Sequence, residues 1–389
     1  MKKLKIKKII ISSRIGIYLD SKIRLFISMI PLYHSLINRK NIPSTPDRFV
    51  FFLYGGVGDA VLVFPLIQKL SHISKTIIFC DSTISNLSYL LPENAEIIIY
   101  EKNSFLRCIS DFRKRIAGLH AVFIQTSPVI EMYIIRLLLR IPYSIGLISS
   151  FRTVRSIGFN LKPRKINSHS RLYTYDAIFE SILSSFDYKP QNIYTKNPHH
   201  KNISYDSSVD KIEGRYIVIS PTKSFQWEMG KMPIQEYTKL ANYLTQELGY
   251  KVIFVGHVSE QEYINNIVDE ILIPDMGINL AGRTSLKDLA SVICGAELVI
   301  ANDNGIAHLS SYLEVKTLVL FMFSNPKVYE WNNENYSYIF NKTHNCMPCV
   351  SLNRYPQDNY PVLCNNNLEC NVSITANDII NKINLLGWV

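Results

Sequence analysis

Short, unbroken apolar runs alternate along the chain with longer amphipathic stretches, and turns rich in glycine or asparagine separate them. Phe49 to Tyr54 is apolar at every position, the pattern of a strand buried on both faces of a parallel sheet. It leads through Gly55-Gly56-Val57-Gly58-Asp59 into the helical stretch VLVFPLIQKL. Thr76–Cys80, Ala95–Tyr100 and Ala121–Gln125 repeat the strand pattern with helix-length segments between them, and Leu172–Phe186 reads as a long helix. Residues 190–213 are polar, contain Pro190 and Pro198 and show no apolar period, which marks a linker. A second series follows: strand Tyr216–Ser220, helix Ile234–Leu248, strand Lys251–Gly256, helices Glu260–Ile271 and Leu286–Gly295, strand Leu298–Ala301, a helix from Ile306 and strand Thr317–Phe321. Thr375-Ala376-Asn377-Asp378 is a capping box for a last helix ending near Leu386.

Strands alternating with helices define an α/β protein with parallel sheets. At 389 residues the chain exceeds what one core usually organises. The expectation is therefore two doubly wound, Rossmann-like halves facing one another across a cleft. They cover residues 48–189 and 214–372, with 1–47 as an N-terminal arm, 190–213 as linker and 373–389 as a C-terminal helix.

Charge sharpens this picture only at the N-terminus. The chain carries a net charge of +10, and residues 1–50 hold eleven Lys and Arg against Asp20 and Asp47. A nucleic-acid protein spreads its cations over the folded surface that grips phosphates, so this distribution speaks against that class. The arm threads Ile, Leu and Phe between its cations, and two readings stand side by side: an interfacial segment for an anionic membrane surface, or a packed helix with a solvated basic face. Its longest charge-free stretch, Leu25–Asn38, is too short to span a bilayer, and the segment lacks the form of a signal peptide. Seven cysteines, an odd count, point to a reducing cytoplasm. Cys80, Cys108 and Cys294 read as core residues.

Three polar turns fall at the carboxyl ends of strands, where α/β proteins place ligands. In the first, Gly58 allows close backbone approach, and Asp59 at the helix start is either a general base or an N-cap. The second, Pro221-Thr222-Lys223-Ser224-Phe225-Gln226-Trp227 followed by Lys231-Met232-Pro233, offers the Thr222 hydroxyl, backbone amides and the Lys231 ammonium. The third, Asn302-Asp303-Asn304-Gly305-Ile306-Ala307-His308, opens a helix whose N-terminal amides suit phosphate oxygens, with Asp303 able to accept from sugar hydroxyls. Against this stands a simple cap by Asp303 and a satisfied buried His308. Near the C-terminus Cys346, Cys349, Cys364 and Cys370 form a Cys-x2-Cys pair and a looser second pair, compatible with a structural zinc site or with thiols and disulfides.

Taken in order, GGVGDAVLVFPLIQKL, VISPTKSFQWEMGKMPIQEYTKLANYL, VIFVGHVSEQEYI and NLAGRTSLKDLASVICGAELVIANDNGIAHLSSYLEVKTLVLF resemble glycosyltransferase family nine, the ADP-heptose:lipopolysaccharide heptosyltransferases. The resemblance covers roughly residues 48 to 370. It implies a GT-B fold and inverting, metal-independent transfer from a nucleoside-diphosphate sugar, ADP-heptose, to a lipid-linked or core oligosaccharide of lipopolysaccharide. No cofactor is implied, and the location is cytoplasmic, at the inner face of the inner membrane. In this reading Asp59 is the general base, Gly58 lies beside the acceptor, and Lys231 neutralises the diphosphate. Glu260 holds ribose or nucleotide hydroxyls, and Asp303, Gly305 and His308 surround the sugar and diphosphate. Three positions depart from the family pattern: Asn304 replaces a threonine, Met232 an aromatic residue, and Ser144 the arginine before Ile145-Gly146. The competing readings are another nucleotide-sugar enzyme, an epimerase or hydrolase, and a non-catalytic membrane-associated binding protein on the same fold.

Overall fold

A computed structural model of the chain describes residues 46–53, 56–100, 105–116, 119–126, 141, 143–146, 171–186, 212–222, 230–349 and 367–389. Each half is built on its own wholly parallel sheet. In the first, β1 (Arg48–Phe52), β2 (Lys75–Cys80), β3 (Ala95–Ile99), β4 (Ala121–Gln125) and β5 (Tyr143–Gly146) lie in the order β3-β2-β1-β4-β5. Val50 pairs with Ile77 on one side and Phe123 on the other. The unbroken apolar run of β1 is used on both faces: Phe49 and Phe51 enter one core cluster, Val50 and Phe52 another. Helices α1 (Val57–Val61), α2 (Phe64–Ser71), α3 (Phe105–Ile116) and α4 (Arg171–Ser185) belong to this half.

The second sheet contains β6 (Tyr216–Ser220), β7 (Lys251–Phe254), β8 (Gly277–Asn279), β9 (Leu298–Asn302), β10 (Thr317–Leu320) and β11 (Tyr336–Ile339), in the order β11-β10-β9-β6-β7-β8. Its helices are α5 (Ile234–Gln246), α6 (Gln261–Val268), α7 (Leu286–Cys294), α8 (Gly305–Tyr312), α9 (Pro326–Tyr329) and α10 (Ala376–Leu386). The expected capping box is present, with Thr375 accepting from the Asp378 amide and Asp378 from the Thr375 amide. Ile379 and Ile383 of α10 share a core with Ile217 and Leu240, so this helix completes the second half.

In both sheets the strand order turns back beside the first strand, at β1/β4 and at β6/β9. Loops leaving neighbouring strands on opposite sides of such a point cannot fill the space between them, and a crevice opens at the carboxyl ends. All three polar turns singled out in the sequence leave strands bordering these points: β1, β6 and β9.

The strands absent from the sequence reading are β5, β8 and β11, and all three are sheet edges. Two of them are incompletely covered, Gly277–Asn279 and Tyr336–Tyr338 being only partly buried, whereas β5 is buried throughout but its four-residue run is interrupted by Ser144 and Gly146. Smaller differences lie at the ends. β7 stops at Phe254, and the helix expected from Glu260 begins at Gln261 after a short 3-10 turn, Val258–Glu260. Of the arm, only residues 46 and 47 are described, and of the linker only 212 and 213. Among the described residues no helix is long and apolar enough to cross a membrane; Leu25–Asn38 lies outside them.

The two halves meet through a side chain that belongs to one and is buried in the other. Tyr312, at the end of α8, is fully buried. Its ring lies edge-on to Phe64 of α2 at 5.4 Å between centroids. Its hydroxyl donates to the Leu90 carbonyl (3.1 Å) and accepts from Gln68 Nε2 (2.6 Å). One core cluster consequently runs from Phe49 and Phe64 through to Val218 and Val299. Tyr312→Phe keeps the ring but leaves the Leu90 carbonyl and Gln68 amide without this partner, and is expected to lower unfolding free energy by about 1–3 kcal/mol. Tyr312→Ala should cost about 3–5 kcal/mol. Chemical denaturation measures both, and a phenylalanine variant as stable as wild type would remove the hydroxyl from this account.

Candidate active site

At the end of β1 the chain enters α1 with Gly56 as N-cap and no capping side chain. Asp59 is therefore not the cap, the alternative its position in the sequence allowed. Its carboxylate instead forms an ion pair with Arg171, at the start of α4. The Asp59 side chain is 47% exposed and that of Arg171 14%, so the pair has one face in solvent and its cation inside. Burial alone would push Arg171 toward losing its proton; the Asp59 carboxylate, with Tyr175 and Tyr329, outweighs this and raises it above the ordinary guanidinium value. Arg171 also reaches the second half, its guanidinium carbon lying 5.7 Å from the centre of the Tyr329 ring.

Gly58 faces α8. A Cβ placed on it would lie 2.9 Å from His308 Cδ2 and 3.1 Å from Gly305 Cα, and one on Gly305 would lie 3.2 Å from the Gly58 nitrogen. Contacts under 3.0 Å are not sustained by real side chains, so α1 and α8 approach backbone to backbone. Gly58, Gly305 and His308, from two distant parts of the sequence, thus occupy one point of the crevice, and Asp59 is the next residue along.

Behind that point is a buried polar cluster. Asp303 accepts from Ser324 Oγ at 2.5 Å, and its other oxygen is 3.7 Å from His308 Nε2. Trp331 Nε1 donates to His308 Nδ1 at 3.1 Å. An indole N–H can only donate, so Nδ1 of His308 is the acceptor, and the neutral ring carries its proton on Nε2, toward Asp303. His308 is thus a buried, hydrogen-bonded histidine, and it stands at the helix contact with Gly58.

Asn304, rather than Asp303, caps α8. Its Oδ1 accepts from the Ile306 and Ala307 amides, and its Nδ2 donates to Ser220 Oγ (2.8 Å) and the Thr222 carbonyl (2.6 Å). Both amide hydrogens and the oxygen are engaged. The side chain is a brace between β6 and α8, and it takes up the Ile306 and Ala307 amides of the helix start. The Gly305 amide, at the first helical position, has no carbonyl one turn earlier to bond. Thr222 is buried.

Lys231 follows Gly230, whose φ of +82° and close contact with the Phe323 ring admit no side chain. The Lys231 ammonium lies over the Tyr263 ring at 5.8 Å. Tyr263 in turn donates to the Met232 carbonyl at 2.8 Å, and Met232 is buried in the second core. Glu260 is buried at the end of the 3-10 turn that follows β7, where it accepts from the His257 amide at 2.7 Å and fits against Gly256. Its hydrogen bond is local, within that turn.

The cysteines divide as expected in part. Cys80 is buried, and burial with nearby Asp81 pushes its thiol up to about 12; burial raises Cys294 to about 11. Such thiols stay protonated at neutral pH. The side chain of Cys108 lies outside the described ones, as does residue Cys364. Cys346, Cys349 and Cys370 pack against the second core. Among the described residues no group of three or more His, Cys, Asp or Glu is arranged to hold a metal ion, so no fourfold site is assembled from them.

Arg171, Ser324 and Trp331 have no signal in the sequence. None sits in a glycine turn or at a fixed offset from Asp59, Asp303 or His308, and each arrives through the path of a separate element.

Two parallel-sheet halves that meet where α1 of one faces α8 of the other form the GT-B architecture. Glycosyltransferase family 9 (heptosyltransferase) matches residues 134–357, more than half the chain, and the protein belongs to this family and is a glycosyltransferase. Lipooligosaccharide heptosyltransferase 2 of Campylobacter jejuni serotype O:6 is 23% identical over 303 residues, 76% of this chain and 87% of that protein. Its serotype O:2 counterpart is 33% identical over a shorter stretch of 101 residues, 25% of this chain and 31% of the relative. Among solved structures, E. coli ADP-heptose lipopolysaccharide heptosyltransferase II superposes with a TM-score of 0.61 at 18% identity, covering 87% of this chain and 98% of that one.

Trp331→Phe tests the histidine assignment. Nitrogen-15 NMR of the wild-type protein should show His308 with its proton on Nε2; the variant should show a mixture of tautomers and a stability loss of about 1–3 kcal/mol. A wild-type spectrum with the proton on Nδ1 contradicts the hydrogen-bond direction.

Proposed function

We propose that the protein transfers heptose from ADP-heptose to a core saccharide of lipopolysaccharide, with inversion and without a catalytic metal. The observation that carries this reading is the contact of Gly58 with Gly305 and His308, because it sets the turn bearing a carboxylate against the N-terminus of a helix. A single displacement at an anomeric carbon needs a base on the incoming side and positive charge on the departing side. Asp59 takes the proton of the acceptor hydroxyl as its oxygen bonds to the anomeric carbon. The bond from that carbon to the phosphate oxygen breaks on the opposite face, and ADP leaves with its electron pair. Lys231 and the amide dipoles at the start of α8 stabilise the developing phosphate charge. Arg171 aims the Asp59 carboxylate, Asp303 and His308 meet the sugar, and Glu260 meets the nucleotide.

Asp59→Asn should lower kcat by about 10²–10⁴-fold while ADP-heptose affinity stays near wild type, and Lys231→Ala should weaken ADP itself. Enzyme treated with EDTA should keep its turnover. NMR of the product would show the anomeric configuration inverted from that of the donor. Full turnover in Asp59→Asn contradicts the assigned base, and consumption of donor without any acceptor would point to an epimerase or hydrolase.

The same reading puts the enzyme in the cytoplasm at an anionic membrane surface, supported by the concentration of Lys and Arg in residues 1–50. Full-length protein should sediment with vesicles containing phosphatidylglycerol and not with phosphatidylcholine alone, and lose this binding as salt rises. Equal recovery with both vesicles would exclude the electrostatic part.

A further inference from the structure

Asn302, the last residue of β9, is 2% exposed and lies under the loop that carries Lys231. Its side-chain amide donates to the Pro221 carbonyl at 2.7 Å and to the Gly230 carbonyl at 2.5 Å. Its Oδ1 is 2.9 Å from the Tyr237 hydroxyl, which is also 3.0 Å from the Pro221 carbonyl. Burial, with Tyr263 nearby, raises the Tyr237 phenol well above its ordinary value despite its bond to Asn302, so it remains a donor. Pro221 and Gly230 bracket residues 222–229, and Gly230 immediately precedes Lys231. The Gly230 amide is held as well, by Asn371 Oδ1 at 2.7 Å.

A group at position 302 must donate to two carbonyls and accept from one hydroxyl. Asparagine meets this; aspartate lacks the donors and leucine lacks both functions. Because Asn304, two residues on, holds Ser220 and Thr222, the same short turn holds Ser220–Thr222, Gly230 and the start of α8.

We propose that Asn302, with Tyr237, is a positioning residue for Lys231: by tying the Pro221 and Gly230 carbonyls to the end of β9, it sets where the ammonium stands relative to the α8 N-terminus, so that both meet one diphosphate. This rests on the donor-site reading given above. Asn302 itself does not touch the nucleotide; it acts through the lysine.

The test is a double-mutant cycle on the full chain, read by calorimetric titration with ADP. Lys231→Ala should weaken ADP about tenfold or more, as loss of a charge-assisted contact does, and Asn302→Ala about tenfold. If Asn302 acts through Lys231, the double variant should bind within about twofold of Lys231→Ala alone, since coupled sites are not additive. Tyr237→Phe, which spares Asn302 and the fold, should give a smaller loss, about two- to threefold, that disappears in the Lys231→Ala background. It carries the cycle should Asn302→Ala fail to fold. Losses that multiply in both double variants overturn the positioning role and leave the donor site standing. Unchanged ADP affinity in Lys231→Ala overturns both.

Discussion

Two helices can approach until their backbones touch only where neither presents a side chain at the crossing. At the contact of α1 with α8 this condition is met from both directions: a Cβ on Gly58 would strike His308 and Gly305, and one on Gly305 would press on the Gly58 nitrogen. The separation of the halves is set there, because Tyr312 is seated against Phe64 and Leu90 further along the same helix. A wider gap would withdraw that ring and expose apolar surface on both sides, at roughly 25 cal/mol for each Å². The site depends on the same distance. Asp59 follows Gly58 and His308 is in the contact, so the carboxylate turn and the start of α8 keep a fixed separation.

The polar groups around this contact are buried, and burial makes each one expensive unless it is satisfied. The structure meets the requirement with direct partners: Ser324 for Asp303, Trp331 for His308, and two carbonyls with a hydroxyl for Asn302. Satisfied groups in a low-dielectric setting are also held in one orientation. The arrangement is therefore preorganised, which is what stabilisation of transition-state charge needs. Asp59 differs, its carboxylate standing half in solvent with the Arg171 guanidinium inside.

The departures from the family pattern acquire physical meaning in this setting. Asn304 replaces a hydroxyl residue by one that caps α8 with its oxygen and braces β6 with its nitrogen. Met232, at a position usually aromatic, is buried in the second core and leaves its carbonyl to Tyr263, whose ring underlies Lys231. Both residues thus support the segment around Lys231 and the start of α8. Ser144 lies within β5, fully buried, where an arginine could not be accommodated without a partner for its charge.

The elements whose physics is local are legible in the residues alone. The apolar run Phe49–Phe52, flanked by a glycine turn, forms a strand covered on both faces, and the Thr375–Asp378 box starts a helix. The sequence also determined, through ordered motifs, the family and the positions of Asp59, Lys231, Asp303 and His308. Only the tertiary structure decided which of these meet and what orients them. Arg171 reaches Asp59 from across more than a hundred residues, Trp331 sets the proton of His308, Tyr312 joins the halves, and Asn302 holds the Pro221 and Gly230 carbonyls. The edge strands β8 and β11 were likewise decided there, since half-covered segments carry a weak apolar pattern, and so was β5, whose short buried run is broken by Ser144 and Gly146. The reason is the same in every case: a hydrogen bond or ion pair between distant segments imposes no spacing along the chain, and its partners are chosen by where folded elements bring them.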